Sequence, residues 1–165
     1  MRRLILAFAA TALLASCGPK PADPAVAAAA AEAKAFMDKN GKEEGVVTLP
    51  SGLEYKIVRS GPKDGLRPQE TDEVKVHYEG KLLDGKVFDS SYERGMPAAM
   101  PLKALIPGWV EALKLMRPGD EWTLYVPPQL GYGDQGVGDI PPNSVLIFRI
   151  ELIDVLPGPG RIAQG

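Results

Sequence analysis

Within residues 46–156 apolar and polar positions alternate in short runs, the two-residue period of strands that bury one face. Leu53-Glu54-Tyr55-Lys56-Ile57-Val58-Arg59 alternates in this way, and Ser60-Gly61-Pro62 ends the run. Val74, Val76 and Tyr78 fall on one face of a second strand, with Lys75 and His77 on the other. Asp84-Gly85, set between Leu82-Leu83 and Lys86-Val87-Phe88, predicts a hairpin turn, because glycine supplies the positive φ that a tight connection needs. Trp122, Leu124 and Val126 share a face of a further strand, as do Leu146, Phe148, Ile150 and Leu152 of the last. In one stretch the period lengthens. After Pro107-Gly108, the residues Trp109, Leu113 and Met116 recur at i, i+4 and i+7, which predicts a short helix with one apolar stripe, broken by Arg117-Pro118-Gly119. The segment 27–39, alanine-rich with Glu32, Lys34, Phe36 and Met37, predicts another helix, and Asn40-Gly41 is its stop signal. Strands joined by hairpins and loops, with one helix over a face, make an antiparallel α+β domain.

Length and composition keep this picture and add an address. The 165 residues, 45% apolar and 24% charged, suit one domain with a core, and 16 Pro and 18 Gly spread between the periodic runs suit short strands and tight turns. A net charge of -2 shows no basic excess for phosphates, so nucleic acid is not an expected partner. Arg2 and Arg3 precede the apolar run 4–14 and then small residues, the order of a secretory leader too short to span a bilayer. The residues around the arginine pair do not support twin-arginine export. Cys17, the only cysteine, follows Leu14-Ala15-Ser16 and resembles the lipobox of bacterial lipoproteins. That resemblance implies a leader at 1–16 and an acylated Cys17 anchoring the chain to a membrane, each buried methylene adding about 0.8 kcal/mol of membrane affinity. Gly18, not aspartate, follows the cysteine, so the expected address is the outer membrane of a bacterial envelope. The expected organisation is then a lipidated tether with a short Ala-rich helix at 17–45, a folded domain at 46–156 and a loose tail at 157–165. The helix either docks on the domain or on a second copy, or stays nascent within a linker.

Chemistry enters by elimination. Gly131-Tyr132-Gly133-Asp134-Gln135-Gly136 has the spacing of a dinucleotide loop, but Val137-Gly138-Asp139-Ile140-Pro141-Pro142 follows where a helix would have to start. His77 is the only histidine, which makes a histidine-rich metal site or a Ser-His-Asp arrangement difficult to assemble; it reads as an exposed or edge residue. No metal or cofactor is expected. There remain Tyr78, Phe88, Trp109, Tyr132 and Phe148 at turn and strand positions, which periodicity alone leaves open as core or as pocket walls.

Their context narrows the choice. Val76-His77-Tyr78-Glu79-Gly80, Gly85-Lys86-Val87-Phe88-Asp89-Ser90-Ser91, Ile106-Pro107-Gly108-Trp109, Leu130-Gly131-Tyr132-Gly133, Ile140-Pro141-Pro142-Asn143 and Leu146-Ile147-Phe148 stand in an order and spacing that closely resembles the FKBP-type peptidyl-prolyl isomerases, over roughly 71–156. The lead-in from Gly45 to Tyr55 resembles the exported bacterial subgroup named after macrophage infectivity potentiator. The resemblance implies a five-stranded antiparallel sheet wrapped around one short helix, with the pocket between them. It implies that Tyr78, Phe88, Asp89, Arg94, Leu105, Ile106, Trp109, Tyr132, Ile140 and Phe148 line or edge that pocket, with Trp109 as the floor for a proline ring. The Ile106 backbone N–H and the Tyr132 hydroxyl would be donors to ligand carbonyls, and Asp89 would organise the polar side with Tyr78. Trp122 and Tyr125 match no pocket position. Met100 stands where the family usually has phenylalanine and Ala98 where some members carry an aromatic, so one wall is expected to be softer and smaller. The loop between Tyr132 and Ile140 lacks a histidine frequent in the family, and the subgroup's long dimerising helix is reduced to one short segment, so dimerisation is not carried over. The implied function is cis/trans isomerisation at X-Pro bonds of exported polypeptides, with macrolides of the rapamycin type as implied ligands. The alternative is a module that binds proline-containing segments as a chaperone or adaptor with little turnover.

Overall fold

The computed structural model describes residues 23–159, so the expected leader, Cys17 and residues 160–165 lie outside it. Its elements run α1 (Pro24–Asn40), β1 (Val46–Thr48), β2 (Glu54–Arg59), β3 (Glu73–Lys81), β4 (Val87–Ser90), β5 (Ala98–Pro101), α2 (Pro107–Leu113), β6 (Glu121–Val126) and β7 (Leu146–Leu156). Among the described residues the strands form one antiparallel sheet in the order β1-β2-β6-β7-β3-β4, with β5 also paired to β3. The fold class is the expected α+β one, but the sheet has seven strands where five were implied. Two short segments make the difference. The three-residue β1 pairs with β2, and β5 prolongs the edge that β4 begins, β4 taking Glu79 to Lys81 of β3 and β5 taking Glu73 to Val76.

Alternation does what the sequence promises along β3, β6 and β7. Val74, Val76, Tyr78, Trp122, Leu124, Val126, Leu146, Phe148, Ile150 and Leu152 are buried and meet Trp109, Leu113 and Met116 of the α2 stripe. Met116 lies past the end of α2, yet its N–H still bonds the Ala112 carbonyl at 3.2 Å, so the stripe continues beyond the helix. In β7 the phase slips once. Lys75 pairs with Asp154 and Val76 with Leu152, leaving Ile153 as a bulge that turns Val155, not Asp154, into the core. The hairpin forms as predicted, with Gly85 at φ 86° and paired Leu82–Lys86 backbones.

Three expectations change. The core reaches Leu53 and Tyr55 but not Ile57, so the outer half of β2 is exposed and its alternation carries no burial there. His77 is not exposed: it lies where the β5 pairing of β3 has ended and the β4 pairing has not begun, and its ring is half-buried, stacked on Tyr92 at 4.7 Å. The tail begins tied, not loose, since the Gly158 N–H donates to Asp72 at 2.9 Å.

Helix α1 starts earlier than its composition suggests. Asp23 accepts the Ala25 N–H and Pro24 takes the first turn, where its missing N–H costs nothing. It ends at Asn40, beside the stop signal. Of the three states left open for it, docking on the domain is what the structure contains. The Asn40 amide donates to the buried Glu54 carboxylate at 2.7 Å, the Asn143 amide donates to the Val26 carbonyl at 3.0 Å, and the Phe36 and Tyr125 rings lie 6.1 Å apart.

Candidate functional site

Where α2 crosses the sheet, the core is incomplete and opens as a cavity of about 320 Å³. Tyr78, Phe88, Asp89, Met100, Leu105, Ile106, Trp109, Tyr132 and Phe148 line it. Each comes from a different local cause. Tyr78 is the last inward position of β3 before Gly80, and Phe148 lies opposite Gly80 on β7. Phe88 and Asp89 follow the Asp84-Gly85 turn on β4. Trp109 is in the first turn of α2, which Pro107 starts and Ile106 caps with its carbonyl, bonding the N–H groups of Trp109 and Val110. The Ile106 N–H has no backbone acceptor among the described residues.

Four rings make the apolar part, each nearly perpendicular to the next. Tyr78 meets Trp109 at 5.0 Å and 84°, Trp109 meets Phe148 at 5.1 Å and 86°, and Phe148 meets Phe88 at 5.6 Å and 88°. Edge-to-face pairs contribute about 0.5–1.5 kcal/mol each beyond area burial, so the chain of rings is rigid as well as apolar. Trp109, 4% exposed, is the floor, and its indole N–H has no acceptor among the described residues.

Two glycines make this packing possible, and the sequence pattern assigned neither a role. A Cβ on Gly80 would lie 2.6 Å from the Phe148 ring and 2.7 Å from Phe88, so only a residue without a side chain lets both rings close over β3. A Cβ on Gly108 would lie 2.7 Å from Val126, so α2 presses directly on β6 and drives Trp109 into the floor. Gly80 could have been suspected from an otherwise apolar-alternating strand interrupted by glycine, which marks close approach.

The polar wall is a three-member unit. The Tyr78 hydroxyl donates to Asp89 at 2.5 Å, and Arg94 donates both to the other Asp89 oxygen and, at 2.8 Å, to the Tyr78 oxygen. Burial on its own raises the Asp89 carboxyl, but the hydrogen bonds from Tyr78 and Arg94 and the guanidinium charge outweigh it and hold the group below its ordinary value. Burial first, then the bond to Asp89, raises the Tyr78 phenol, which therefore stays protonated and aimed. Ser91, fully buried, clips this corner from behind: its hydroxyl accepts the Tyr78 N–H at 2.8 Å and lies 2.9 Å from His77 Nδ1.

Two of the residues expected to line or edge the pocket do not line it. Arg94 is exposed and does not line the cavity; it holds Tyr78 and Asp89 from outside. Ile140 is buried in the core, bridged to Val137, and supports the Tyr132 loop without lining the cavity. Met100 does line the wall, whereas Ala98 is half-buried against the core. Trp122 is core, stacked on Tyr55 at 4.3 Å. Among the described residues no group of three or more His, Cys, Asp or Glu could hold a metal.

Comparison with known proteins gives these observations a lineage. Residues 65–153 match the profile described as FKBP-type peptidyl-prolyl cis-trans isomerase, and residues 18–57 match the domain amino-terminal to it. The chain is 53% identical over 127 residues to peptidyl-prolyl cis-trans isomerase Mip of Coxiella burnetii, covering 76% of this chain and 54% of that protein. It is 48% identical over 126 residues to outer membrane protein MIP of Legionella longbeachae, covering 76% and 53%. The crystal structure of FkpA from Escherichia coli superposes with a TM-score of 0.78 at 46% identity, over 82% of this chain and 62% of that one. The chain thus spans about half the length of the curated relatives it matches.

Proposed function

The chain belongs to the family of FKBP-type peptidyl-prolyl cis-trans isomerases, and from that premise we propose that its cavity accelerates cis/trans exchange at X-Pro bonds of exported polypeptides. The observation that carries this is the pairing of four perpendicular rings, Trp109 deepest, with one fixed polar wall of Tyr78, Asp89 and Arg94.

Exchange at an X-Pro bond takes tens to hundreds of seconds uncatalysed, because twisting an amide through about 18–20 kcal/mol removes its resonance. No bond breaks, so no nucleophile is required. Loss of resonance makes the twisted amide less dipolar than the planar one, and a water-poor aromatic cavity therefore favours it. Only interactions stronger in the twisted state accelerate the reaction. The proline ring rests on Trp109 against Phe88 and Phe148. The Ile106 N–H and the Tyr132 hydroxyl donate to substrate carbonyls, and the Tyr78–Asp89–Arg94 unit fixes the polar side. Macrolides of the rapamycin type would occupy the same cavity in competition with substrate.

The site of action we propose is the bacterial cell envelope, with the chain anchored through acylated Cys17. The leader-like order of residues 1–16 supports this, as does the name of the Legionella relative, an outer membrane protein. Substitution Cys17→Ser is expected to release the protein from the membrane fraction; retention there would sink the anchor.

The activity is tested by a protease-coupled proline assay of the intact chain, Phe88→Ala and Trp109→Leu, with each variant's folding followed by circular dichroism. The expected result is a loss of roughly tenfold or more in kcat/KM for each folded variant. Turnover equal to that of the intact chain in both would remove the cavity from the mechanism.

A further inference from the structure

A second cavity, larger than the pocket, is a groove of about 760 Å³ beneath α1. One wall is the helix face carrying Ala30, Ala33 and Met37, and the other is the rim of the sheet at Pro127, Pro128 and Gly133. Its charged lining is largely satisfied internally: Lys34 pairs with Asp38, and Glu54 accepts from Asn40. Both signs line it, Lys34 and Lys42 with Asp38, Glu54 and Asp134, so it has no single-sign field to select a charged ligand. What it does offer is apolar and backbone surface.

The groove adjoins the pocket along the chain. Tyr132 lines the pocket, and the next two residues, Gly133 and Asp134, line the groove, so this segment forms a ridge between the two cavities. That ridge is fixed. The Gly133 N–H bonds the Pro128 carbonyl at 2.9 Å, and the Gly133 carbonyl accepts the Asn143 N–H at 2.8 Å. Asn143 in turn holds α1 through the Val26 carbonyl, so the same residue sets both the ridge and the helix wall. The groove also lies where the two matched profiles meet, its helix within residues 18–57 and its other rim within 65–153.

We propose that the α1 groove is a second subsite for the polypeptide whose proline occupies the pocket, and that it takes an extended apolar stretch flanking the X-Pro bond, laid over Tyr132. This rests on the isomerase reading of the pocket. A chain entering the groove meets no requirement for charge and buries apolar side chains against Ala30, Met37 and the two prolines, so the groove selects polypeptides that expose apolar sequence next to proline, as unfolded chains do. A short peptide reaches only the pocket.

The experiment compares three substrates on the full chain in detergent: a tetrapeptide with a Leu-Pro core, and the same core extended by Leu-Val-Phe-Ala-Leu on its amino or its carboxyl side. Ala30 and Met37 are seven residues apart on one helix face, so Ala30→Glu with Met37→Glu puts charge along the groove without touching the pocket. The expected result is a fall of about fivefold or more in kcat/KM on at least one extended peptide, carried by KM, with the tetrapeptide within about twofold of the unsubstituted chain. Equal turnover of both extended peptides, or a parallel loss on the tetrapeptide, would overturn the proposal. Fluorescence anisotropy of the labelled extended peptides separates this from the isomerase reading. If no substrate turns over, the isomerase reading fails alone when the variant still binds an extended peptide about fivefold more weakly, and the groove fails too when affinity is unchanged. Should the double variant melt early, Ala30→Glu alone, at an exposed helix position, gives the same comparison.

Discussion

At the scale of single residues, the site depends as much on side chains that are missing as on those present. Gly80 lies between Asp89 on β4 and Phe148 on β7, and the space above it belongs to two rings. Gly80→Ala is therefore expected to cost about 1–3 kcal/mol in denaturant unfolding, as overpacking does, and to lower kcat/KM by displacing Phe88 and Phe148. A variant as stable and as active as the parent would mean that the rings do not need that space. The polar wall sets a pH window. Asp89 titrates lower in the fold than in the unfolded chain, so its stabilising contribution is present above about pH 4 and is lost as pH falls through the lowered value. Tyr78 titrates higher, so its contribution is present below about pH 10 and is lost as pH rises through the raised value. Neither group changes charge between these limits. The kcat/KM profile on a non-titrating peptide is expected to be flat from about pH 5 to about pH 9; a limb near neutrality would show a proton transfer that the site does not need.

At the scale of elements, legibility in the sequence followed the range of the cause. Local causes were readable: the alternation of β3, β6 and β7, the Asp84-Gly85 turn, and the stripe of α2. Causes that act between elements were not. Val46-Val47-Thr48 is β-branched but only three residues long, and Ala98-Ala99-Met100-Pro101 has no strand pattern, because β1 and β5 exist through the partners they pair with. The bulge at Ile153 shifts burial to Val155 through a register that only the β3–β7 pairing defines. The docking of α1 was equally hidden, since its anchor is a carboxylate at a position that alternation gives to solvent. Glu54 is 3% exposed and accepts from Asn40. Asn40→Ala is predicted to destabilise the fold by about 1–3 kcal/mol, because it leaves a buried acceptor without its donor, and Asn40→Ala with Glu54→Leu is predicted to recover part of that loss. Urea unfolding of the two variants decides it; a single variant as stable as the parent would show that α1 is held by other contacts.

At the scale of the whole molecule, the pocket is a gap in the core, which is why the pattern of residues could not separate its walls from ordinary packing. Tyr78, Trp109 and Phe148 sit in the same buried cluster as Val74 and Leu124, and only the geometry of α2 against the sheet leaves one side of them open. The resemblance to a family supplied that distinction before the structure did, and the structure separates the residues that line the cavity from Arg94, which holds two of them, and Ile140, which is buried in the core. Two cavities then sit on either side of the Tyr132 ridge, the one we propose for a proline ring and the one we propose for the chain that carries it. The central claim is that binding in the first space speeds rotation about the X-Pro bond. Exchange spectroscopy by NMR at equilibrium reads that rotation directly, on a peptide with a resolved cis and trans signal and no coupling protease. The predicted result is a cis/trans exchange rate that rises in proportion to added protein while the populations of the free peptide stay unchanged, and that falls back with Phe88→Ala. A peptide that binds, by its shifted resonances, yet exchanges at its uncatalysed rate would contradict it.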